Sequence, residues 1–143
     1  MEIRSLGQVL EESGEVVIRT SGTSMEPLLH ENESTVLVRK RTAPCRKNDV
    51  VLFIRPSGQY VLHRIVKVTG DTYTCIGDNQ FQQEKGLTHD QMIGVVTALY
   101  RGEKRWEADC WQYKLYCRVW HYTRFPRKCW RGLRARVLRL FKK

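Results

Sequence analysis

The chain has 143 residues, 41% of them hydrophobic and 28% charged, values that fit a single folded domain with a modest core. No apolar run reaches the ~20 residues that a membrane-spanning helix needs, and the N-terminus lacks the apolar stretch of a secretory signal peptide. The formal net charge is +10, but eleven of the 25 Lys and Arg and none of the 15 acids follow residue 112. We therefore expect two units: a near-neutral body over residues 1–112 and a basic tail over residues 113–143.

The five cysteines indicate neither a disulfide framework nor a metal knuckle. Their number is odd, their spacing is loose, and no pair has the Cys-x-x-Cys pattern. We expect free thiols in a reducing compartment, and no cofactor. A zinc site built from Cys110, Cys117 and His121 is the weaker alternative.

The predicted elements of the body are one short helix followed by strands. Ile3, Leu6 and Leu10 recur at helical spacing and Gly14 can end a helix, so we expect an amphipathic helix over residues 2–13. Runs of β-forming residues follow at 16–18, 35–38, 49–54, 60–68, 72–76 and 92–100. Short strands at this regular spacing predict a mainly β body.

Beyond residue 112 the pattern becomes helical. One face carries Leu115, Val119 and Tyr122, and Pro126 then interrupts the pattern. An apolar stripe follows, made of Trp130, Leu133, Val137, Leu140 and Phe141, with arginines elsewhere around the helix. Such a helix can lie on an anionic membrane surface or pack on the body with its basic face solvated. Both are favoured over nucleic-acid binding, because the stripe is substantial and no nucleic-acid motif appears.

Three segments of the body carry groups typical of a hydrolytic serine site. The first is Ser-Gly-Thr-Ser-Met-Glu-Pro at 21–27, in which Ser24 is the candidate nucleophile. Gly22 lets the backbone turn tightly, and backbone N–H groups near Ser24 are candidate donors to an oxyanion. Because a serine hydroxyl is a poor nucleophile until a neighbour removes its proton, a base is required.

His63 is the candidate base, since its ordinary pKa suits proton abstraction near neutral pH. An acid must then orient the imidazole, and two carboxylates are candidates: Asp78, in Gly-Asp-Asn at 77–79, and Glu84, six residues later. Lys67, four residues beyond His63 and expected on the same strand face, is a weaker alternative base.

Four segments in this order resemble the successive boxes of type I signal peptidases, which are related to the LexA-like self-cleaving repressors. They are the segment at 21–27, the strand at 49–53, Val-Leu-His-Arg-Ile-Val at 61–66 and Gly-Asp-Asn at 77–79. The resemblance covers roughly residues 15–100 and implies a compact LexA/signal-peptidase-like β catalytic domain with endopeptidase activity at Ser24. The histidine at position 63 resembles the serine–histidine type of the endoplasmic reticulum and archaea, whereas most bacterial members use lysine.

In that type the functional acid lies in or shortly after the Gly-Asp-Asn box, and its later aspartate aligns with Glu84. The resemblance also implies an extended peptide substrate with small residues before the cut. Signal peptidases of this type carry a membrane anchor where this chain has only about twenty residues. The chain thus resembles compact, anchorless bacterial members, and we expect a cytoplasmic enzyme, peripheral on the inner face of the membrane through residues 113–143. The rival hypothesis is an inactive peptide-binding module of the same fold, tethered by its tail to membrane or nucleic acid.

Overall fold

The computed structural model describes residues 5–142 as an eight-stranded antiparallel sheet with one helix before it and two after it. The helices are α1 (Leu6–Ser13), α2 (Trp111–Tyr122) and α3 (Arg124–Leu140). The strands are β1 (Glu15–Arg19), β2 (Ser34–Lys40), β3 (Val50–Ile54), β4 (Tyr60–Thr69), β5 (Thr72–Ile76), β6 (Glu84–Thr88), β7 (Met92–Arg101) and β8 (Lys104–Glu107). The predicted fold class, mainly β with a short N-terminal helix and a helical C-terminal segment, is confirmed.

The strands follow the order β1-β2-β7-β3-β4-β5-β6, and β8 pairs with β7. The sheet buries side chains on both faces. Alternate residues of β3 point to opposite faces and so belong to different cores. Leu52 belongs to a core that also contains Leu10 of α1, whereas Phe53 packs with Ile65 and Tyr73 in the other. Burial on both faces explains the nearly continuous apolar sequence of β3.

The ends of each predicted strand lie within two residues of the ends of an observed strand, but β6 and β8 were not predicted. β6 has the sequence Glu-Lys-Gly-Leu-Thr, in which Gly86 has φ +71°, and such a sequence carries little intrinsic β preference. Pairing with β5 makes it a strand, with Cys75 opposite Glu84. The predicted helix is observed from Leu6, and Ile3 lies outside the described residues.

Helix α2 packs on the body through a face other than the predicted one. Tyr113 and Cys117 are buried in the core that contains Leu10. Leu115 and Val119, on the predicted face, are more than half exposed. The reason is that the body offers polar partners, described below, to the aromatic face of α2. The division of the chain after residue 112 stays a prediction.

Helix α3 starts at Arg124, so Pro126 lies in its first turn, where the missing N–H of proline has no helical acceptor to lose. None of its residues is buried. Within residues 5–142, no helix combines the length and apolar character needed to cross a bilayer.

Candidate active site

A large cleft brings Ser24 and His63 to one surface. It has a volume of ≈ 760 Å³ and is bordered by the end of β1, the turn at 20–25, the β3–β4 hairpin and the loop at 79–80. Its apolar lining includes Ile18, Leu52 and Leu62, and its polar lining includes Arg55 and Gln59. Two of the segments singled out in the sequence therefore meet in a concave site of the size that binds ligands.

The turn that carries Ser24 is hydrogen-bonded to the Gly-Asp-Asn box at 77–79. The backbone N–H of Asn79 donates to the carbonyl oxygen of Ser24 at 2.9 Å, and the Asn79 amide Nδ2 donates to the carbonyl oxygen of Thr23 at 3.1 Å. Gly77 allows this approach, because a Cβ there would lie 2.5 Å from the Ser24 carbonyl oxygen. The box thus fixes the backbone of the candidate nucleophile.

The Ser24 side chain is partly accessible from the cleft. Its hydroxyl makes no hydrogen bond within residues 5–142, and the backbone N–H groups of Ser24 and Met25 likewise donate none in this part of the chain. Gly22 has φ +78°, the left-handed conformation that glycine tolerates best, as expected for a tight turn. The turn therefore presents a hydroxyl and two unused backbone donors.

His63 lies in the middle of β4, opposite Val51 of β3, and is only 3% exposed. Its ring meets Phe53 edge-on, with the ring centroids 5.9 Å apart. Burial lowers the pKa of His63; Glu84 opposes this shift and Arg55 adds to it. The imidazole is therefore neutral at physiological pH, the form that can accept a proton.

Glu84 is the carboxylate next to the His63 ring. Its Oε1 lies 3.5 Å from His63 Nδ1, which is within ion-pair distance but lacks hydrogen-bond geometry, so the buried Nδ1 has no hydrogen bond to any described residue. The carboxylate instead pairs with Arg55, whose Nε donates to Oε2 at 3.1 Å and whose Nη2 donates to Oε1. That pair lowers the pKa of Glu84, so Glu84 is ionised beside the imidazole.

Asp78, the other candidate acid, is fully buried and belongs to a different group of side chains. Both of its carboxylate oxygens accept from Arg64, at 2.8 and 2.9 Å, and Tyr116 of α2 donates to Oδ2 at 2.9 Å. Arg64 neighbours His63 along β4, so its side chain points to the other face of the sheet. The structure thus brings Glu84, and not Asp78, into contact with His63.

The Arg64–Asp78 pair connects the site to α2. Arg64 Nη1 also donates to the Tyr113 hydroxyl at 3.1 Å and to Cys117 Sγ at 2.9 Å, and the Trp120 indole donates to the carbonyl oxygen of Asp78 at 2.7 Å. Burial disfavours the charge of Arg64, but Asp78, together with Tyr113 and Cys117, outweighs this and keeps the Arg64 pKa well above its usual value.

The side chains that sequence reasoning missed are Arg55 and the aromatic face of α2. A signal for that face was present, since Tyr113, Tyr116, Cys117 and Trp120 recur at the spacing of one helical stripe. Nothing local marked Arg55, because its partner Glu84 lies 29 residues away on a strand that was not predicted.

The structure supports neither of two weaker candidates, the alternative base Lys67 and the zinc site. Lys67 is exposed and does not line it, because a register shift between Ile65 and Lys67 breaks the strict alternation of β4. The described residues contain no cluster of three or more His, Cys, Asp or Glu suited to a metal ion, so Cys110, Cys117 and His121 do not form the zinc site considered above.

The comparison with known families decides the assignment. Residues 3–97 match the family model described as Peptidase S24-like. The chain belongs to the peptidase S24-like family. The matched residues include the whole cleft turn, His63 and both candidate acids, and the match confirms the resemblance to LexA-like and signal-peptidase-like serine peptidases. A search of curated proteins found no match.

Membership of the S24-like family gives the chain a serine-peptidase type of fold. The serine–histidine type, the signal-peptidase specificity and the roles of individual residues stay predictions, which the cleft geometry allows us to develop.

Proposed function

We propose that this S24-like protein is a serine endopeptidase that cleaves an extended peptide or leader segment, with Ser24 as nucleophile and His63 as general base. The observation that carries the proposal is the position of both side chains on one cleft, with a buried, neutral imidazole backed by an ionised carboxylate. These are the parts that nucleophilic catalysis by serine requires.

The proposed reaction starts when Ser24 Oγ attacks the scissile carbonyl carbon while His63 Nε2 takes the hydroxyl proton. The negative charge that develops on the carbonyl oxygen is stabilised by the N–H groups of Ser24 and Met25. His63 then gives its proton to the leaving amine as the C–N bond breaks, which leaves an acyl-enzyme. Water, deprotonated by His63, releases the acid product and restores Ser24.

Glu84 is the orienting acid in this proposal. A carboxylate facing Nδ1 favours the tautomer with the proton on Nδ1, which leaves the lone pair of Nε2 for the serine proton. Arg55 limits this effect by neutralising part of the Glu84 charge, and it keeps the carboxylate in position. We assign Asp78 a supporting role, because its oxygens are occupied by Arg64 and Tyr116.

The substrate class follows from the walls of the cleft. β1 is the outermost strand of the sheet next to β2, so one of its edges is open to pairing with an extended peptide. Ile18, Leu52, Tyr60 and Leu62 line the cleft beside this edge and favour small or apolar side chains over charged ones.

A peptide library with small and apolar residues, analysed by mass spectrometry, tests the proposal. The wild-type chain should produce defined cleavage products, and Ser24→Ala should produce none. Ser57→Ala, at an exposed turn that does not line the cleft, is the matched control and should cleave like the wild type. Equal cleavage by the wild type and Ser24→Ala would disprove the role of Ser24.

The second candidate function is an inactive peptide-binding module. It is favoured by one observation, the absence of a hydrogen bond between Ser24 and His63 within the described residues. Catalytic hydrogen bonds are often long before substrate binds, so the observation does not exclude an enzyme. Peptide binding without cleavage by the wild type, unchanged in Ser24→Ala, would support the module.

A further inference from the structure

Helix α3 is attached to the rest of the protein by two arginines, Arg127 and Arg131, while its apolar side faces solvent. Arg127 stacks on the Trp120 ring, with its guanidinium carbon 3.3 Å from the ring centroid. Arg131 donates to the Asn79 side chain at 3.1 Å and lies over the Phe81 ring. Arg127 thus attaches α3 to α2, and Arg131 attaches it to the body.

The apolar stripe of α3, defined as Trp130, Leu133, Val137, Leu140 and the adjoining Phe141, has no such partner within residues 5–142. Trp130 is 68% exposed and Leu140 is 76% exposed, although helices on globular proteins normally bury this kind of face. The expectation that the tail packs on the body therefore holds for α2, but it is wrong for the apolar stripe of α3.

The charge of α3 restricts what can cover the stripe. The helix contains seven Arg or Lys and no acidic residue. A second copy would bring two such helices together, and the like charges would repel each other. Nucleic acid would satisfy the charges but would leave the apolar stripe in water. An anionic lipid surface suits both the charges and the stripe, since phosphates accept hydrogen bonds from the arginines while apolar side chains enter the acyl region.

We propose that α3 is a docking surface for an anionic membrane, on which it lies in the plane of the interface with the apolar stripe inserted. Arg134 and Arg136 are exposed and flank the stripe, so they are available for lipid phosphates. Arg127 keeps its contact with α2 and Arg131 keeps its contacts with the body, so docking holds the folded body at the bilayer. This inference does not depend on the activity of Ser24.

The chain offers a closely matched pair of variants for the test. Leu133, in the stripe, is 55% exposed, and Leu138, outside it, is 52% exposed on the same helix. Changing either to Gln leaves the charge unchanged and should affect folding equally little. Only Leu133→Gln removes a group that the proposal inserts into the bilayer.

The experiment measures co-sedimentation of the full chain with vesicles of phosphatidylcholine alone or mixed with phosphatidylglycerol. Wild type and Leu138→Gln should bind the mixed vesicles at least ~10 times more tightly than the neutral ones, with a strong salt dependence. Leu133→Gln should bind the mixed vesicles about fivefold more weakly. Ser24→Ala should bind like the wild type.

A depth measurement adds an independent readout. Vesicles with brominated acyl chains should quench part of the tryptophan fluorescence of the wild type, and Trp130→Phe should lose that quenching. The proposal is overturned if Leu133→Gln and Leu138→Gln bind equally, if neutral and anionic vesicles bind equally, or if the chain binds duplex DNA and not vesicles. A dimer in solution that Leu133→Gln dissociates, with no vesicle binding by the wild type, would assign the stripe to a second copy instead.

Discussion

Glu84 Oε1 lies 3.5 Å from the buried Nδ1 of His63, while Arg55 donates to both oxygens of the same carboxylate. The base of the candidate site is therefore backed by a carboxylate whose charge is shared with a guanidinium. This arrangement differs from a simple acid–base pair, because the arginine restrains the acid and also weakens its pull on the imidazole proton.

Replacing Glu84 with Gln should lower kcat about 100-fold, because the neutral amide no longer favours the proton on Nδ1. Peptide cleavage rates at saturating substrate measure the effect. Glu103→Gln, at the exposed turn between β7 and β8, is the control and should leave kcat unchanged. Equal rates for wild type and Glu84→Gln would remove Glu84 from the proposed mechanism.

Replacing Arg55 with Met should move the acid limb of the pH–rate profile to higher pH. Arg55 lowers the pKa of His63 electrostatically, and it also neutralises part of the Glu84 charge. The pKa of His63 should therefore rise when the guanidinium is removed. NMR titration of the His63 ring reports the same change without any need for activity. A His63 pKa that stays the same or falls would contradict this account of the site.

The stability of the fold should decrease as the pH falls below about 6.5, the ordinary pKa of histidine. The folded pKa of His63 is lowered by burial, so between that value and 6.5 the unfolded chain binds a proton that the folded chain does not. Unfolding therefore becomes easier as the pH falls through this window, and above it His63 contributes no pH dependence. Urea denaturation from pH 5 to 8 measures this, and His63→Gln should reduce the slope near pH 6, leaving the share of His121, whose pKa burial also lowers.

Replacing Gly77 with Ala should displace the Ser24 turn, because the new Cβ would lie 2.5 Å from the Ser24 carbonyl oxygen. We expect a loss of activity of about 100-fold and a decrease of about 1–3 kcal/mol in the free energy of unfolding. Gly132→Ala, in α3 with no atom near its Cβ, is the control and should stabilise the helix by about 0.5–1 kcal/mol. Unchanged cleavage by Gly77→Ala would show that the turn does not depend on this contact.

Replacing Asp78 with Asn should lower the free energy of unfolding by about 3–5 kcal/mol, because it leaves the buried Arg64 without its counter-charge. Glu15→Gln removes the exposed partner of Arg39 and should cost less than about 1 kcal/mol. Urea denaturation curves of the two variants give the comparison. Similar small losses would mean that the Arg64–Asp78 pair contributes little to the fold.

The sequence predicted the strands that carry strong β preference, and it singled out Ser24 and His63, which line the same cleft. It did not predict β6, whose residues become a strand only through pairing with β5, and so it could not choose between Glu84 and Asp78. Both acids follow His63 within about twenty residues, so sequence distance does not separate them. His63 and Arg64 point to opposite faces of β4, and strand pairing brings Glu84 to His63 and Asp78 to Arg64.

The tail shows a similar limit. Periodicity identified the stripe of α3 and an apolar face of α2, but it could not indicate which face meets the body. In α2 the buried pair Arg64–Asp78 selects the aromatic face with its Tyr and Trp donors, and the aliphatic face stays exposed. Polar partners buried in another part of the chain thus override the hydrophobic pattern of the helix.

The central claim, that His63 activates Ser24, is tested most directly by intact-mass analysis after reaction with a fluorophosphonate, which phosphonylates activated serines. The wild type should gain one adduct, mapped to Ser24, and Ser24→Ala should gain none. His63→Ala should react at least ~100 times more slowly. No adduct on the wild type, or equal labelling of wild type and His63→Ala, would contradict the claim.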